Sequence, residues 1–179
     1  DNEGAFHDAG RLLAQLGHKR IGLINGDETQ TFAIHRARGL KRALASFGLR
    51  LDGRHHQSVT MTEENGYRAA NALLSAAEPP TAILCSSLLL ALGIVRAARE
   101  HGLSLPTDLS LISHDDVFSF IRPEGFPVPL TTTRSPIRAA GARVAERLAA
   151  RIAGIEAEPH GEVWKVDLVV RGSVAPPAG

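Results

Sequence analysis

Apolar positions along this chain recur in two alternating periods. From Phe6 to Leu16 they follow helical spacing and stop at Gly17, while Ile21 to Ile24 is an apolar run of strand length. Phe32 to Phe47 predicts a second helix that ends at Gly48 and places Ile34, Leu40, Leu44 and Phe47 on one face. A weaker strand follows at His55 to Val59. Thr62 then offers an N-cap to a helix whose stripe is Tyr67, Ala70, Leu73 and Leu74. Ala82 to Cys85 predicts a strand, Ser87 caps a helix running to Glu100, and Leu109 to Ile112 predicts another strand. Short buried strands alternating with helices imply an α/β fold with a parallel sheet covered on both faces. The last third reads as a strand at Leu130 to Thr133, a long helix at Ile137 to Ile152, and a β-rich segment at Trp164 to Val170.

Composition narrows the function classes. With 20 Lys and Arg against 19 Asp and Glu, the net charge of +1 leaves no concentrated basic face for nucleic acid. Cys85 is the single cysteine, so neither an intrachain disulfide nor a cysteine-pair metal site is expected, in keeping with a cytoplasmic setting. The longest apolar run, Leu88 to Val95, falls far short of the roughly 20 residues that a membrane helix needs. The opening DNEGAFHDAG has neither the pattern of a secretory signal nor an initiator methionine, and it reads as a piece of a longer protein.

Five collinear stretches carry a resemblance to a known family. They are DNEGAFHDAGRLLAQLGHKRIGLING, HRARGLKRAL, ENGYRAANALL, PPTAILCSSLLLALGIVRAAREHGLSLPTDLSLISHDD, and the pair PLTTTRSPIRAAGARVAERLAARIAG and LVVRGSV. Together they resemble the LacI/GalR transcriptional regulators over nearly the whole chain. The resemblance implies a periplasmic-binding-protein-like fold of two lobes, with the C-terminal lobe complete here and the N-terminal lobe partial. On that basis residues 1–17 and 129–157 are expected to belong to the N-terminal lobe, 18–128 to the C-terminal lobe, and 158–179 to return to it. The stripe Ile137, Val144, Leu148 and Ile152 is then expected to lack a sheet to cover within the chain. The family also implies a small sugar-like or purine-like effector and a homodimer. Operator DNA would be bound only through a helix-turn-helix head outside this chain, with no membrane and no cofactor.

The resemblance places the effector at the carboxyl ends of the strands, between the lobes. Arg36, three residues before Gly39, stands at the family's effector-binding arginine, where a guanidinium supplies a fork of donors. Without the family match it reads as a solvated helix arginine, beside Arg38 and Arg42. Asp115 matches the first aspartate of the family's Gly-(Phe/Tyr)-Asp-Asp turn, while Asp116 reads as a turn or cap residue. Ser87 stands for the family's asparagine and reads equally as an N-cap. Leu88 replaces an aspartate, and Ser113-His114 replaces Gly-(Phe/Tyr). Met61 occupies the aromatic stacking position, apolar but not flat. Gln30 and Phe32 lie in the loop before Arg36 and complete the set of expected ligand-binding residues.

Two other classes compete. Ser113, His114, Asp115 and Asp116 have catalytic side chains, but consecutive strand residues point to opposite faces, and no Gly-x-Ser-x-Gly elbow or glycine-rich phosphate loop is present. An enzyme is therefore not expected, and His55-His56 fails as a metal pair for the same reason. A periplasmic sugar-binding protein shares the two-lobe fold and is the alternative reading. The Pro-Leu-Thr-Thr-Thr and Leu-Val-Val-Arg-Gly-Ser stretches favour the regulator. In that reading the helix from Ser87 and the segment Val117 to Arg122 pair across a two-fold axis through Leu88, Leu89, Phe118 and Phe120.

Overall fold

A computed structural model describes residues 1–114, 120–155 and 161–178. Helix α1 spans Asn2–Gln15, β1 Ile21–Asn25, α2 Thr31–Ala45, β2 His56–Ser58, α3 Glu63–Leu74, β3 Ala82–Cys85 and α4 Leu88–Glu100. After β4 (Ser110–His114) come β5 (Thr131–Arg134), α5 (Ile137–Ile152) and β6 (Asp167–Val169). The predicted caps form. Thr62 accepts from the Asn65 amide at 3.2 Å and Ser87 from the Leu89 amide at 3.0 Å. Gly17 and Gly48 end α1 and α2 at φ of 97° and 70°, a backbone region closed to most side chains.

The six strands form one sheet in the order β2-β1-β3-β4-β5-β6, parallel throughout except for β6, which runs antiparallel to β5. Successive strand side chains alternate between two cores. Leu23, Leu84 and Ile112 face α1 and α2, meeting Phe6, Leu13, Leu40 and Leu44. Ile24, Ile83, Cys85 and Leu111 face α3 and α4, meeting Leu73, Leu90 and Ile94. This is the doubly covered parallel sheet that the pattern implied.

Elements from outside residues 18–128 join the same sheet and core. Helix α1 lies on α2 and shares its core with β1, β3 and β4, and β5 pairs with β4, so both join the same body as residues 18–128. Helix α5 buries no residue, and Ile137, Val144, Leu148 and Ile152 are all exposed. The α2 stripe is also rotated from its expected position. Ile34 and Phe47 are exposed, and the buried line runs through Ala33, Ala37, Leu40 and Leu44, whose small members let α1 approach.

Candidate functional site

The connections after β1 and β3 leave the sheet towards opposite faces, β1 into α2 and β3 into α4. The gap between the carboxyl ends of these neighbouring strands is the switch point at which open α/β sheets take ligands. Asn25, Gly26, Ser86 and Ser87 line it.

Arg36 reaches this edge from the second turn of α2. It is only 7% exposed, so it is not a solvated helix arginine. Its Nε donates to Asn2 Oδ1 at 2.8 Å and its Nη1 to the Ser86 carbonyl at 3.1 Å. The guanidinium carbon lies 4.8 Å from the Phe32 ring centroid and 5.4 Å from that of Phe6, within cation–π range of both. Phe32 and Met61 converge over Gly26, where an added Cβ would stand 3.0 Å from Phe32 Cε2 and 3.6 Å from Met61 Sδ. Arg36, Phe32 and Met61 are thus gathered at one edge. Ser87 is buried and its Oγ is engaged as the α4 cap. Gln30 is exposed at the start of α2 and makes no side-chain cap. Asp115 and Asp116 lie outside the described residues.

A polar network at this edge escaped the sequence reading. Asn25, fully buried, donates through Nδ2 to Glu28 Oε1 and to the Ala33 carbonyl, each at 2.8 Å. Its Oδ1 accepts from the Gly26 amide at 3.0 Å and from Ser86 Oγ at 2.6 Å. The one available signal was an asparagine followed by glycine at the end of an apolar strand.

His114 closes the floor, with Nδ1 2.6 Å from Thr133 Oγ1 and its ring 6.0 Å from that of Phe6. Burial, and then the positive charge of Arg36, push its pKa down to about 3. Ser113 Oγ turns instead to the His114 carbonyl, so no serine–histidine relay forms. His55 and His56 also diverge, to the Glu78 carbonyl and to Glu28 respectively. Among the described residues no cluster of three or more His, Cys, Asp or Glu is placed to hold a metal.

A second buried histidine, His18, sits at the opposite sheet edge between Thr81 Oγ1 and the Ala175 carbonyl, each at 2.9 Å. Burial lowers its pKa as well, against the raising effect of the Ala175 bond. Both histidines therefore stay neutral in the fold and protonate more readily once unfolded. Their contribution to stability is complete above the ordinary value of 6.5 and is lost as pH falls below it, towards about 3 for His114. For His114 the loss amounts to roughly 1.4 kcal/mol per pH unit between those two values. Thermal melts at pH 7.5 and 5.5 should show a lower Tm at the acid point. His114→Gln, which keeps a hydrogen-bonding group for Thr133 but does not titrate, should flatten that difference; an unchanged slope would remove His114 as a source.

The periplasmic binding protein-like domain profile matches residues 11–174. The chain belongs to that family. Its LacI branch is marked by the HTH-type transcriptional regulator AglR of Rhizobium meliloti (strain 1021), 56% identical over 176 residues, 98% of this chain and 49% of that protein. A crystal structure of a LacI regulator from Bacillus cereus subsp. cytotoxis NVH 391-98 superposes with a TM-score of 0.91 at 25% identity, over 99% of this chain and 62% of its own. A regulator called CelR, solved with cellobiose, gives 0.90 at 29% identity over 97% and 52%. This LacI-type chain spans about half the length of the relative it resembles at 56% identity. These relatives are named as regulators, which does not favour the transport-protein alternative.

Proposed function

We propose that this chain is the effector-sensing and dimerisation part of a cytoplasmic LacI-type transcriptional regulator. Operator DNA is bound by a helix-turn-helix head outside the chain, and a small sugar-like or purine-like effector enters at the β1/β3 switch point. One observation carries this reading: the Arg36 guanidinium is held over the Phe32 ring at the carboxyl edge of the sheet, between the two connections that diverge there. A fixed planar donor beside an apolar ring suits a ligand with hydroxyls on its rim and a carbon-rich face. The cellobiose held by CelR favours the sugar class. No helix among the described residues is long and apolar enough to cross a membrane.

For self-association the outer face of α4 is the supporting surface, with one change from expectation. Leu88 is fully buried in the core under α3 and does not add to an outer patch. Leu92 and Val95 take that place, and with Ile121, Phe126, Pro127 and the largely exposed Phe120 they line a groove of about 300 Å³. Phe118 lies outside the described residues.

The test uses the complete gene product on DNA from upstream of its own gene, followed by fluorescence anisotropy. Cellobiose, maltose or a purine nucleoside should release the DNA in a saturable manner, and sedimentation should give twice the mass of the polypeptide. DNA binding indifferent to every one of these compounds, or no DNA binding at all, counts against the reading.

A further inference from the structure

The segment between β1 and α2 leads directly into Phe32 and Arg36, and its residues 26–30 belong to neither apolar core. It is a tight turn in which the Gln30 amide donates to the Asp27 carbonyl at 3.0 Å and the Thr29 amide to Asp27 Oδ1 at 2.9 Å. What ties this turn to the sheet is polar. Glu28 Oε1 accepts from Asn25 Nδ2 at 2.8 Å and pairs with His56 Nε2 on β2 at 2.5 Å. The Glu28 amide donates to Ser58 Oγ at 3.1 Å, and that hydroxyl donates in turn to the Gly26 carbonyl at 3.1 Å. One residue therefore fastens the turn at two points on β2 and one on β1.

We propose that Glu28 is a positioning residue for the effector site, setting the place of Gln30, Phe32 and Arg36 through Asn25 and His56. The inference rests on the effector-site reading above.

The physical case has three steps. Asn25 is wholly buried, and its amide keeps one orientation because acceptors face Nδ2 and donors face Oδ1. Glu28 supplies one of the two acceptors. The oriented Oδ1 then receives Ser86 Oγ, and the Ser86 carbonyl receives Arg36 Nη1. The connection from β2 to the guanidinium is thus continuous through His56, Glu28, Asn25 and Ser86. The side chains of His56 and Glu28 are 17% and 30% exposed, so solvent screens this pair only partly, and a carboxylate accepting two donors makes the stronger kind of hydrogen bond.

The role differs from simple stabilisation because the turn lies at the rim of the sheet, away from both apolar cores. Its release is expected to loosen residues 26–34 while leaving the α3 and α4 side intact. Glutamine at position 28 keeps an oxygen acceptor for both Asn25 and His56, whereas alanine removes it.

Amide hydrogen exchange on the complete gene product, without any added sugar, should show faster exchange in residues 26–34 of Glu28→Ala. The increase should be about tenfold or more, as for loss of one charge-assisted bond. The α4 peptides should be unchanged, Glu28→Gln should restore protection, and His56→Ala should speed exchange in the same residues by a smaller factor, since the Asn25 bond to Glu28 survives. The double variant Glu28→Ala/His56→Ala should add little to Glu28→Ala, because that change already cuts the His56 link. Calorimetry with cellobiose as the probe should show affinity falling in parallel, about tenfold in Glu28→Ala and little in Glu28→Gln. Unchanged exchange in residues 26–34 overturns the proposal, and so does faster exchange spread evenly through the lobe. If the parent protein takes up no cellobiose, the sugar reading is what fails, and the exchange results still decide the role of Glu28.

Discussion

Alanine in place of Gly93 is expected to lower the melting temperature by about 4–8 °C, whereas the same change at Gly141 raises it by about 2–4 °C. Both glycines are helical, so both substitutions gain up to ~1 kcal/mol in helix propensity. Their surroundings decide the sign. A Cβ on Gly93 would lie 2.0 Å from the Glu63 carbonyl oxygen and 2.3 Å from the Tyr67 amide nitrogen, both backbone atoms of α3. Neither can step aside without moving a helix. Overpacking of this kind costs about 1–3 kcal/mol and sometimes more, which outweighs the propensity gain. Gly66 meets Leu90 across the same crossing and Gly39 meets the Glu3 carbonyl across α1 and α2, so alanine there should act as it does at Gly93. Gly141, on exposed α5, meets nothing within 4 Å. Differential scanning calorimetry of the four variants checks this, and a Gly93→Ala protein as stable as its parent would show that the helices separate more easily than their packing implies.

These glycines also mark where sequence reading stopped. Helices and strands were legible because the apolar period switches from helical to strand-like at nearly every boundary, and polar caps such as Thr62 and Ser87 punctuate the switches. That Gly39, Gly66 and Gly93 are contact points was not legible, since a glycine within a helix looks alike whether it touches a neighbour or solvent. Leu88 misled for a related reason. At the first turn of α4 the helical period alone did not say which way it faces, and it went into the core. For the proposed site, the family resemblance singled out Arg36, whose distance from Gly39 is fixed within one helix. The network around it joins Asn25 to Ser86 and Glu28 to His56, partners brought together only by strand pairing. The packing of α1 against α2 and the antiparallel direction of β6 lie beyond local pattern for the same reason.

Replacing Arg36 tests the site directly. Arg36→Lys in the complete gene product is expected to weaken effector binding about 100-fold, or ~2.8 kcal/mol, while operator binding stays intact. Lysine keeps the charge and most of the apolar stem. It lacks the planar fork that lies over Phe32 while serving Asn2 Oδ1 and the Ser86 carbonyl together. Arg36→Ala goes further, since the buried Ser86 carbonyl loses a donor at a cost of about 1–3 kcal/mol, and part of its effect is loss of stability. Lysine separates the two contributions: a melting temperature close to that of the parent with a lost response assigns the fork to the effector. The measurement is sugar-dependent release of operator DNA, read with the melting temperature of each variant. Normal release by both variants would take Arg36 out of the site, and release restored in the lysine variant at high sugar concentration would place its effect on affinity, not on transmission to the DNA-binding head.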